Sequence, residues 1–365
     1  MAEKKESTDV DAILRSTLVD VAPGTALRDG LERILRGKTG ALIVLGYDKS
    51  VEEVSGGGFV LDVEFTATRL RELSKMDGAI IVDVASNKIV RAAVQLLPDP
   101  SIPTEETGTR HRTADRVAKQ TGRPVLSVSK SMNIIALYVG KRRYVLEDSS
   151  DILARANQGI ATLERYRARL DQVSNNLSAL EVEDLVNVRD VAMYAQRLEM
   201  VRRIRHEIES YVIELGTEGR LIALQVEELI AGVESARSLL VRDYFPTEKG
   251  KKTKGAETAR AALDALTSEE LLDLVNVAKA LGLGNTVDHL DNVVSARGYR
   301  LMARVPRVPE VIVDRLVAHF GSLQPLLVAT TEQLQEVEGI GETRARSIRD
   351  GLSRLSEATI LERYL

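Results

Sequence analysis

The feature that most constrains the fold is a change in hydrophobic pattern near residue 151. Before it, short apolar runs that suit buried strands alternate with helical segments. After it, strand signals vanish, and apolar residues recur at helical spacing as far as about residue 300. A chain of 365 residues is also too long for one ordinary core. The pattern therefore predicts an α/β domain, a mixed sheet flanked by helices, followed by all-α regions.

Local signals place the elements of the first region. Residues 1–9 are polar, and we expect them to be disordered. Gly56, Gly57 and Gly58 favour a turn, with a close approach of the backbone to a ligand as the alternative. Gly122 is suited to end a helix in the left-handed conformation. The segments predicted as helices are residues 11–21, 25–35, 66–75 and 112–120. The segments predicted as strands are residues 41–45, 79–82, 89–94, 125–128 and 134–138, with 143–146 as a further candidate.

A candidate anion site, Gly-Thr-Arg-His-Arg-Thr, occupies residues 108–113 beside the predicted helix 112–120. A helix start offers unpaired N–H groups and the positive end of the helix dipole. Arg110 and Arg112 add two guanidinium groups, and two threonines add hydroxyls. The segment therefore predicts a cradle for a polyphosphate. The alternative is a solvated helix start, because short motifs often match by chance.

A carboxylate stands before a predicted strand and completes the candidate site. Asp77 and Gly78 directly precede the apolar run 79–82. A carboxylate at a strand mouth, opposite a phosphate cradle, is placed to bind a divalent metal or to activate a hydroxyl. The alternative is an ordinary Asp-Gly turn. A long irregular segment, residues 96–103, leads toward the cradle, and long loops inside compact domains are often functional.

Composition excludes several classes of protein. The chain has no cysteine, which rules out disulfides and thiolate metal sites and fits a reducing cytoplasm. It has no tryptophan and only 4% aromatic residues, so base stacking is not its main binding device. A net charge of −4 makes any DNA contact a local one. The N-terminus lacks the apolar core of a signal peptide, and no apolar run is long enough to span a bilayer, so we expect no membrane association.

The second region predicts a helical spine. Apolar spacing fits helices over residues 160–170, 188–213 and 221–241, with charges dispersed on the solvated faces. Lys249, Lys251, Lys252 and Lys254 form a basic loop with neighbouring glycines. This loop is interpreted as a flexible linker, with a DNA contact as the alternative.

The C-terminal region contains a Val-Glu-Gly-Ile-Gly-Glu-Thr-Arg-Ala-Arg-Ser-Ile segment, residues 337–348. Gly339 and Gly341 allow backbone conformations that bring N–H groups close to a phosphate. Ile340 is placed to anchor the hairpin in the core. This segment resembles a helix–hairpin–helix motif, and a degenerate copy follows the same spacing at residues 305–309.

The first copy should be the weaker donor of backbone N–H groups to a phosphate, because Pro306 has no N–H. Residues 310–320 predict the helix that follows this copy. Arginines and acids about balance here, so any binding should follow backbone shape rather than base sequence. The candidate DNA contacts are Arg307, Gly339, Ile340, Gly341, Arg344 and Arg346.

Two short motifs carry a family resemblance. Asp-Gly-Ala at residues 77–79 and Arg-His-Arg at residues 110–112 resemble the paired signature of the diadenylate cyclase family. The segments at residues 40–46, 57–59 and 73–77 match as well. With the C-terminal region, nearly the whole chain resembles the DisA family of bacterial DNA integrity scanning proteins.

The resemblance implies that two ATP condense to cyclic di-AMP and two pyrophosphates, each 3′-hydroxyl attacking the α-phosphate of the other nucleotide. Asp77, Arg110, His111 and Arg112 are the implied catalytic residues, and Asp77 is the implied ligand of Mg²⁺ or Mn²⁺. His111 is assigned either to phosphate binding, which we favour, or to general base catalysis. The implied ATP contacts are Asp77, Gly78, Ala79, Leu96, Gly108, Thr109, Arg110, His111, Arg112, Thr113 and Ser129.

The resemblance also implies an organisation and partners. We expect a cyclase domain at residues 10–148, a helical spine at 149–298 and a tandem helix–hairpin–helix domain at 299–365. A symmetric product made from two identical nucleotides suggests two identical half-sites across a two-fold axis, so a monomer should be inactive. The family implies an octamer in the cytoplasm whose synthesis is suppressed by branched or damaged DNA, such as a Holliday junction.

Two other classes of protein compete with this interpretation. One is a DNA repair or recombination scaffold whose N-terminal domain only senses ATP, and the intact motifs argue against it. The other is a nuclease, which is disfavoured because no cluster of carboxylates has two-metal spacing.

Overall fold

The computed structural model describes residues 2–245 and 252–364. The chain forms two compact units. The first contains the residues up to Gln158 together with Glu209–Leu224, and the second contains Gly159–Ile208 and the residues from Gln225 onward. Within the described residues, no helix combines the length and apolar character needed to cross a bilayer.

A mixed sheet forms the core of the first unit. Its strands are β1 (Ala41–Leu45), β2 (Ser55–Gly56), β3 (Phe59–Glu64), β4 (Ala79–Asp83), β5 (Lys88–Leu96), β6 (Val125–Ser129), β7 (Ile134–Val139) and β8 (Arg142–Leu146). They pair in the order β2-β5-β4-β1-β6-β7-β8, and β3 also pairs with β5. β1 and β4 run parallel, and the other neighbours run antiparallel.

Helices cover this sheet, and apolar clusters are buried on both of its faces. In chain order, the first seven α-helices of the described residues are α1 (Ala2–Asp20), α2 (Ala26–Arg36), α3 (Lys49–Glu53), α4 (Ala67–Leu73), α5 (Thr109–Thr121), α6 (Ser149–Glu183) and α7 (Val188–Leu215). All five residues of β1 are buried, as expected for a central strand with both faces covered. The predicted mixed sheet flanked by helices is confirmed.

Most local signals act as the sequence predicts. Thr25 and Thr66 cap α2 and α4 by accepting hydrogen bonds from backbone N–H groups three residues on. Gly122 ends α5 with φ +68°, in the predicted left-handed conformation. Gly57 and Gly58 also have positive φ, which fits the predicted turn.

Three expectations for this unit were wrong. Strands β2 and β3 were not predicted: β2 has only two residues, and β3 directly follows the glycines that the sequence assigned to a turn. α1 is helical from Ala2, where the sequence predicted disorder. α5 begins at Thr109 rather than at residue 112, which places the Arg-His-Arg segment inside its first turn.

The second unit is helical throughout its described part. After α7 come α8 (Arg220–Leu229), α9 (Val233–Tyr244), α10 (Lys252–Ala265), α11 (Leu274–Ala280), α12 (Tyr299–Met302), α13 (Glu310–Phe320), α14 (Leu323–Val328), α15 (Thr331–Gln335) and α16 (Glu342–Tyr364). α13 matches the helix predicted at residues 310–320.

One prediction for the spine was wrong, and another falls partly outside the described residues. The helix predicted over residues 221–241 is interrupted, because Gly232 adopts φ +80° between α8 and α9. In the predicted basic loop, Lys249 and Lys251 lie outside the described residues. Lys252 and Lys254 belong to the backbone of α10 rather than to a loop.

Candidate active site and DNA interface

One edge of the sheet gathers several predicted nucleotide contacts. Because β1 and β4 are parallel neighbours, Gly40 and Gly78, which directly precede their strands, lie at the same edge. β6 and β5 run antiparallel to β1 and β4, so their last residues, Ser129 and Leu96, lie at this edge too. Sheet topology therefore brings together residues that are far apart in sequence. We call this edge the site edge.

The start of α5 is joined to the site edge through Arg110. A Cβ atom at Gly40 would collide with the guanidinium of Arg110, so the glycine leaves the space that this group occupies. Gly108 is the N-cap of α5 and provides no side-chain cap. The first-turn N–H groups are therefore open to an anion, with the positive end of the helix dipole behind them.

Both arginines of the cradle are exposed. Neither Arg110 nor Arg112 has an ion pair with another described residue, so a polyanion meets no competing carboxylate on them. Thr113 donates its hydroxyl to the carbonyl of Thr109 at 3.0 Å, which leaves only lone pairs on its oxygen. The hydroxyl of Thr113 thus supports the helix start in this conformation rather than offering a hydrogen to a phosphate.

Asp77 and Gly78 occupy a tight junction before β4. Gly78 has φ +110°, and a Cβ there would lie 2.6 Å from the carbonyl carbon of Ala93. Ala93 itself has φ +53°, within a strand whose register against β4 shifts. Only glycine fits at this position. Asp77, directly before it, is exposed. Among the described residues, nothing hydrogen-bonds or pairs with that carboxylate.

The donor set fits a metal that arrives with its nucleotide. Within the described residues, no group of three or more histidines and carboxylates is arranged to hold a metal ion. Mg²⁺ is commonly held by one or two carboxylates together with substrate phosphates. The exposed carboxylate of Asp77 is a ligand of this type, and a metal bound to it stays a prediction.

His111 differs from its two neighbours because its ring is buried, with 4% of its surface exposed. Its Nδ1 lies 2.7 Å from the hydroxyl of Tyr138 on β7. Desolvation lowers the pKa of His111, assisted by the positive charges of Arg143 and Arg110 and opposed by Glu106. The contact of His111 with a phosphate stays a prediction.

The residues around this histidine could not be predicted from the sequence. Tyr138 lies in a run of apolar residues that predicts only a buried strand, and Glu106 lies in the irregular loop before α5. No spacing rule links either residue to His111, since their meeting depends on how α5 packs against the sheet.

The remaining predicted nucleotide contacts are buried backbone positions. Ala79 and Leu96 are 1% and 9% exposed, so each has little side-chain surface for a ligand. Ser129 accepts a hydrogen bond from the N–H of Met132 at 3.4 Å and lies 3.3 Å from the hydroxyl of Ser131. These contacts are those of a strand end, so a role for Ser129 in phosphate binding stays a prediction.

The second candidate site is the hairpin before α16. Gly339 has φ +90°, and a Cβ there would lie 3.0 Å from Arg315 Nη1. Ile340 is buried, as predicted for the anchor of the hairpin. Gly341 faces open space and its carbonyl accepts the first hydrogen bond of α16, from Ala345 at 2.9 Å. Backbone N–H groups at this helix start are therefore approachable by a DNA phosphate.

The first hairpin repeats this geometry with different residues. Arg307 has φ +63° at the position that corresponds to Gly339, and Val305 is buried like Val337. Each hairpin leads into a helix whose first residue is a glutamate. The degenerate copy proposed from sequence therefore has the backbone of a helix–hairpin–helix motif.

Two predicted DNA-contacting arginines make local contacts. Arg344 donates to the carbonyl of Gly339, and Arg346 pairs with Glu342. Arg344 thus supports the hairpin, while Arg346 remains 68% exposed.

Comparison with known proteins identifies three segments. Residues 28–143 match the family model described as DisA bacterial checkpoint controller nucleotide-binding. Residues 146–290 match the DisA bacterial checkpoint controller linker region, and residues 301–360 match a helix-hairpin-helix motif.

Curated relatives match the entire architecture. The DNA integrity scanning protein DisA of Streptomyces avermitilis is 64% identical over 359 residues, covering 98% of this chain and 96% of that protein. The DisA protein of Acidothermus cellulolyticus is 63% identical, covering 97% and 96%. The chain belongs to the DisA family. DisA proteins are diadenylate cyclases, so the chain is an enzyme of the nucleotidyltransferase class.

Among solved structures, DacA from Staphylococcus aureus is 21% identical over 36% of this chain and 88% of that chain, with a TM-score of 0.29. The sequence match to the DisA family, over nearly the whole chain, confirms the resemblance seen in the Asp-Gly-Ala and Arg-His-Arg motifs.

Proposed function

We propose that this DisA-family protein condenses two ATP molecules into cyclic di-AMP and two pyrophosphates. The observation that supports this most strongly is the contact of Arg110 with Gly40, which joins the open start of α5 to the site edge that also holds Asp77. A phosphate-binding helix start and a free carboxylate thereby share one region of the first unit.

The residues of the site have separate roles in nucleotide transfer. Arg110 and Arg112, with the N–H groups of the first turn of α5, bind the triphosphate and stabilise its charge. Asp77 contacts the metal or orients the 3′-hydroxyl, and Gly78 and Leu96 lie where the nucleoside meets the backbone. A divalent metal, Mg²⁺ or Mn²⁺, supplies further charge neutralisation on the triphosphate.

The symmetry of cyclic di-AMP supports a proposal about how the protomers assemble. Each nucleotide provides a 3′-hydroxyl and an α-phosphate, so identical half-sites must face each other across a two-fold axis. We propose that each protomer contributes one half-site and that the working form is a closed oligomer, an octamer as the family resemblance implies. A strictly monomeric preparation should then be inactive.

The tandem hairpins support a regulatory partner. Two helix–hairpin–helix backbones in one chain fit contacts with the phosphates of a branched or damaged duplex, such as a Holliday junction. We propose that this binding suppresses cyclic di-AMP synthesis by favouring an arrangement that spoils the in-line geometry. DNA as a partner also indicates that the protein works in the bacterial cytoplasm.

Incubation with ATP and Mg²⁺ or Mn²⁺, followed by mass spectrometry, tests the reaction. Asp77→Asn should abolish cyclic di-AMP formation while light scattering shows an unchanged oligomer. Asp62→Asn is the matched control, because Asp62 is an exposed aspartate of the same sheet at φ +47°, a conformation that asparagine tolerates. Full activity of the Asp77 variant would remove this carboxylate from the mechanism.

The same incubation distinguishes a cyclase from the rival function, a DNA repair scaffold. A DNA repair scaffold that only senses ATP binds the nucleotide in a calorimeter but yields no cyclic product with either metal. Repeating the assay with a four-way junction tests the regulation, since the proposal requires product formation to fall when the junction is added.

A further inference from the structure

A chain of polar contacts leads from the surface of the first unit to the buried histidine of the cradle. The hydroxyl of Tyr138 lies 2.7 Å from His111 Nδ1. Glu106 is near enough to this hydroxyl that, after burial, its negative charge is the next largest cause of the raised pKa of Tyr138. Glu106 in turn pairs with Arg143 on β8, at 3.3 Å. Tyr138 is 1% exposed and His111 is 4% exposed, so water does not compete for these contacts.

The chemistry of the groups sets the direction of each bond. The carboxylate of Glu106 only accepts hydrogen bonds, and its negative charge acts on the Tyr138 hydroxyl, so this charge favours turning the single hydroxyl hydrogen toward Glu106 and away from the ring. The phenol oxygen is then left to accept from His111 Nδ1–H. Burial lowers the pKa of His111 and so favours the neutral imidazole, which carries only one N–H.

The other ring nitrogen has no partner. His111 Nε2 is buried and makes no hydrogen bond with any described residue. Cδ2, the ring carbon bonded to it, faces Gly108 at the start of α5, since a Cβ at that glycine would lie 3.5 Å away. The unpartnered nitrogen therefore belongs to the part of the ring nearest the phosphate cradle.

We propose that Glu106 and Tyr138 are positioning residues that hold His111 as its Nδ1–H tautomer and make Nε2 a hydrogen-bond acceptor at the start of α5. A lone pair accepts a hydroxyl hydrogen and repels a phosphate oxygen. In the cyclase proposed above, on which this step rests, the partner of Nε2 is the ribose 3′-hydroxyl, and the two arginines hold the phosphates. This assignment reverses the preference for phosphate binding drawn from sequence.

Solid-state ¹⁵N NMR on full-length, histidine-labelled protein tests the tautomer without any nucleotide. The chain has only 4 histidines, and His111→Gln identifies the relevant signals. Nδ1 should be protonated and Nε2 bare in the unmodified protein. In Glu106→Gln, the new amide can donate to the phenol oxygen, so Tyr138 donates to Nδ1 and the ring proton moves to Nε2. Tyr138→Phe should lose the preference for Nδ1–H.

Cyclase kinetics on the same variants supply the second measurement. Glu106→Gln and Tyr138→Phe should lower kcat about 100-fold, the scale of a lost acid–base contact, with KM for ATP within about twofold. Tyr144→Phe, on β8, is the matched control and should change neither the tautomer nor kcat.

Three outcomes decide the proposal. A protonated Nε2 in the unmodified protein overturns it, and so does a variant with a moved proton and full kcat. A bare Nε2 in a protein that makes no cyclic di-AMP supports the hydrogen-bond chain and overturns the proposed reaction instead.

Discussion

Gly40 shows how a missing side chain can position a functional one. Arg110 carries the charge that the phosphate cradle needs, yet it forms no ion pair with another described residue that would hold it in place. The space beside Gly40 holds Arg110 in place instead, because its guanidinium occupies the volume that a Cβ at Gly40 would fill. The position of a flexible cation is thus determined by a residue that contributes no chemistry of its own.

We therefore expect Gly40→Ala to reduce cyclase activity without unfolding the protein. The added methyl group displaces the mobile end of Arg110 rather than backbone, so the melting temperature should change little. A hydrogen bond to a charged group contributes roughly 1.5–3 kcal/mol, so kcat/KM for ATP should fall about tenfold or more.

A matched control exists in the same unit. A Cβ at Gly37 would collide in the same way with the guanidinium of Arg71, which no prediction places in the site. Gly37→Ala should leave kcat/KM unchanged. Equal activity of both variants would show that the place of Arg110 beside Gly40 does not matter for catalysis.

At the scale of elements, the two hairpins solve one backbone problem with different residues. Both need a residue in the left-handed region between a buried valine and the next helix. Glycine adopts this conformation freely, whereas an L-residue such as Arg307 costs roughly 1 kcal/mol there. The first hairpin accepts this cost and gains an exposed guanidinium. We infer that the first copy contacts DNA mainly through charge and the second mainly through backbone.

Gly339 and Gly341 should respond differently to alanine. Gly339→Ala introduces strain at φ +90° and a close contact with Arg315, so the free energy of unfolding should fall by about 1–3 kcal/mol and junction affinity should fall with it. Gly341→Ala places its methyl group in open space, where it costs no stability but obstructs an approaching phosphate. Chemical denaturation and fluorescence anisotropy with a labelled four-way junction measure the two effects. Unchanged junction affinity in both variants would make the hairpin structural.

The same scale shows what sequence can predict. The Thr25 cap of α2, the Gly122 end of α5 and the Gly339 hairpin follow from local rules about caps and glycine, and the structure has them. The partners of His111 and the space at Gly40 depend on packing between distant segments, for which a single sequence has no periodic signal. Strand β3 was missed for a different reason: its Phe and Val residues favour a strand, but they directly follow the glycines that predicted a turn.

At the scale of the whole molecule, buried charged groups join the start of the hairpin region to α6 and α9 within the second unit. The carboxylate of Asp243, on α9, accepts hydrogen bonds from the N–H groups of Gly298, Tyr299 and Arg300 at 2.7–2.8 Å. The side chain of Arg300 is buried beside Glu181 of α6, 3.5 Å from its carboxylate. A buried carboxylate with three backbone donors leaves little freedom for rotation, so the start of the hairpin region is rigidly tied to the helical spine.

The hydrogen bonds to Asp243 lead to a prediction about how DNA binding is coupled to catalysis. Asp243→Asn keeps the side-chain shape but has one acceptor oxygen for three N–H groups, so the second unit should lose roughly 1–3 kcal/mol of stability. Basal cyclic di-AMP synthesis depends on the first unit and should be unchanged. Suppression by a four-way junction should weaken at saturating DNA, because a loosened hairpin region transmits less of the binding free energy to the spine.

Asp171→Asn controls for loss of a carboxylate from the same unit, since Asp171 pairs on an exposed face of α6 with Arg167. That variant should retain full suppression, because surface ion pairs contribute little to stability. If the Asp243 variant is destabilised and is still suppressed as strongly as the unmodified protein, the influence of DNA must reach the first unit by a route that bypasses α9. Suppression lost together with junction affinity would instead place the defect in binding, so anisotropy must be measured on the same samples.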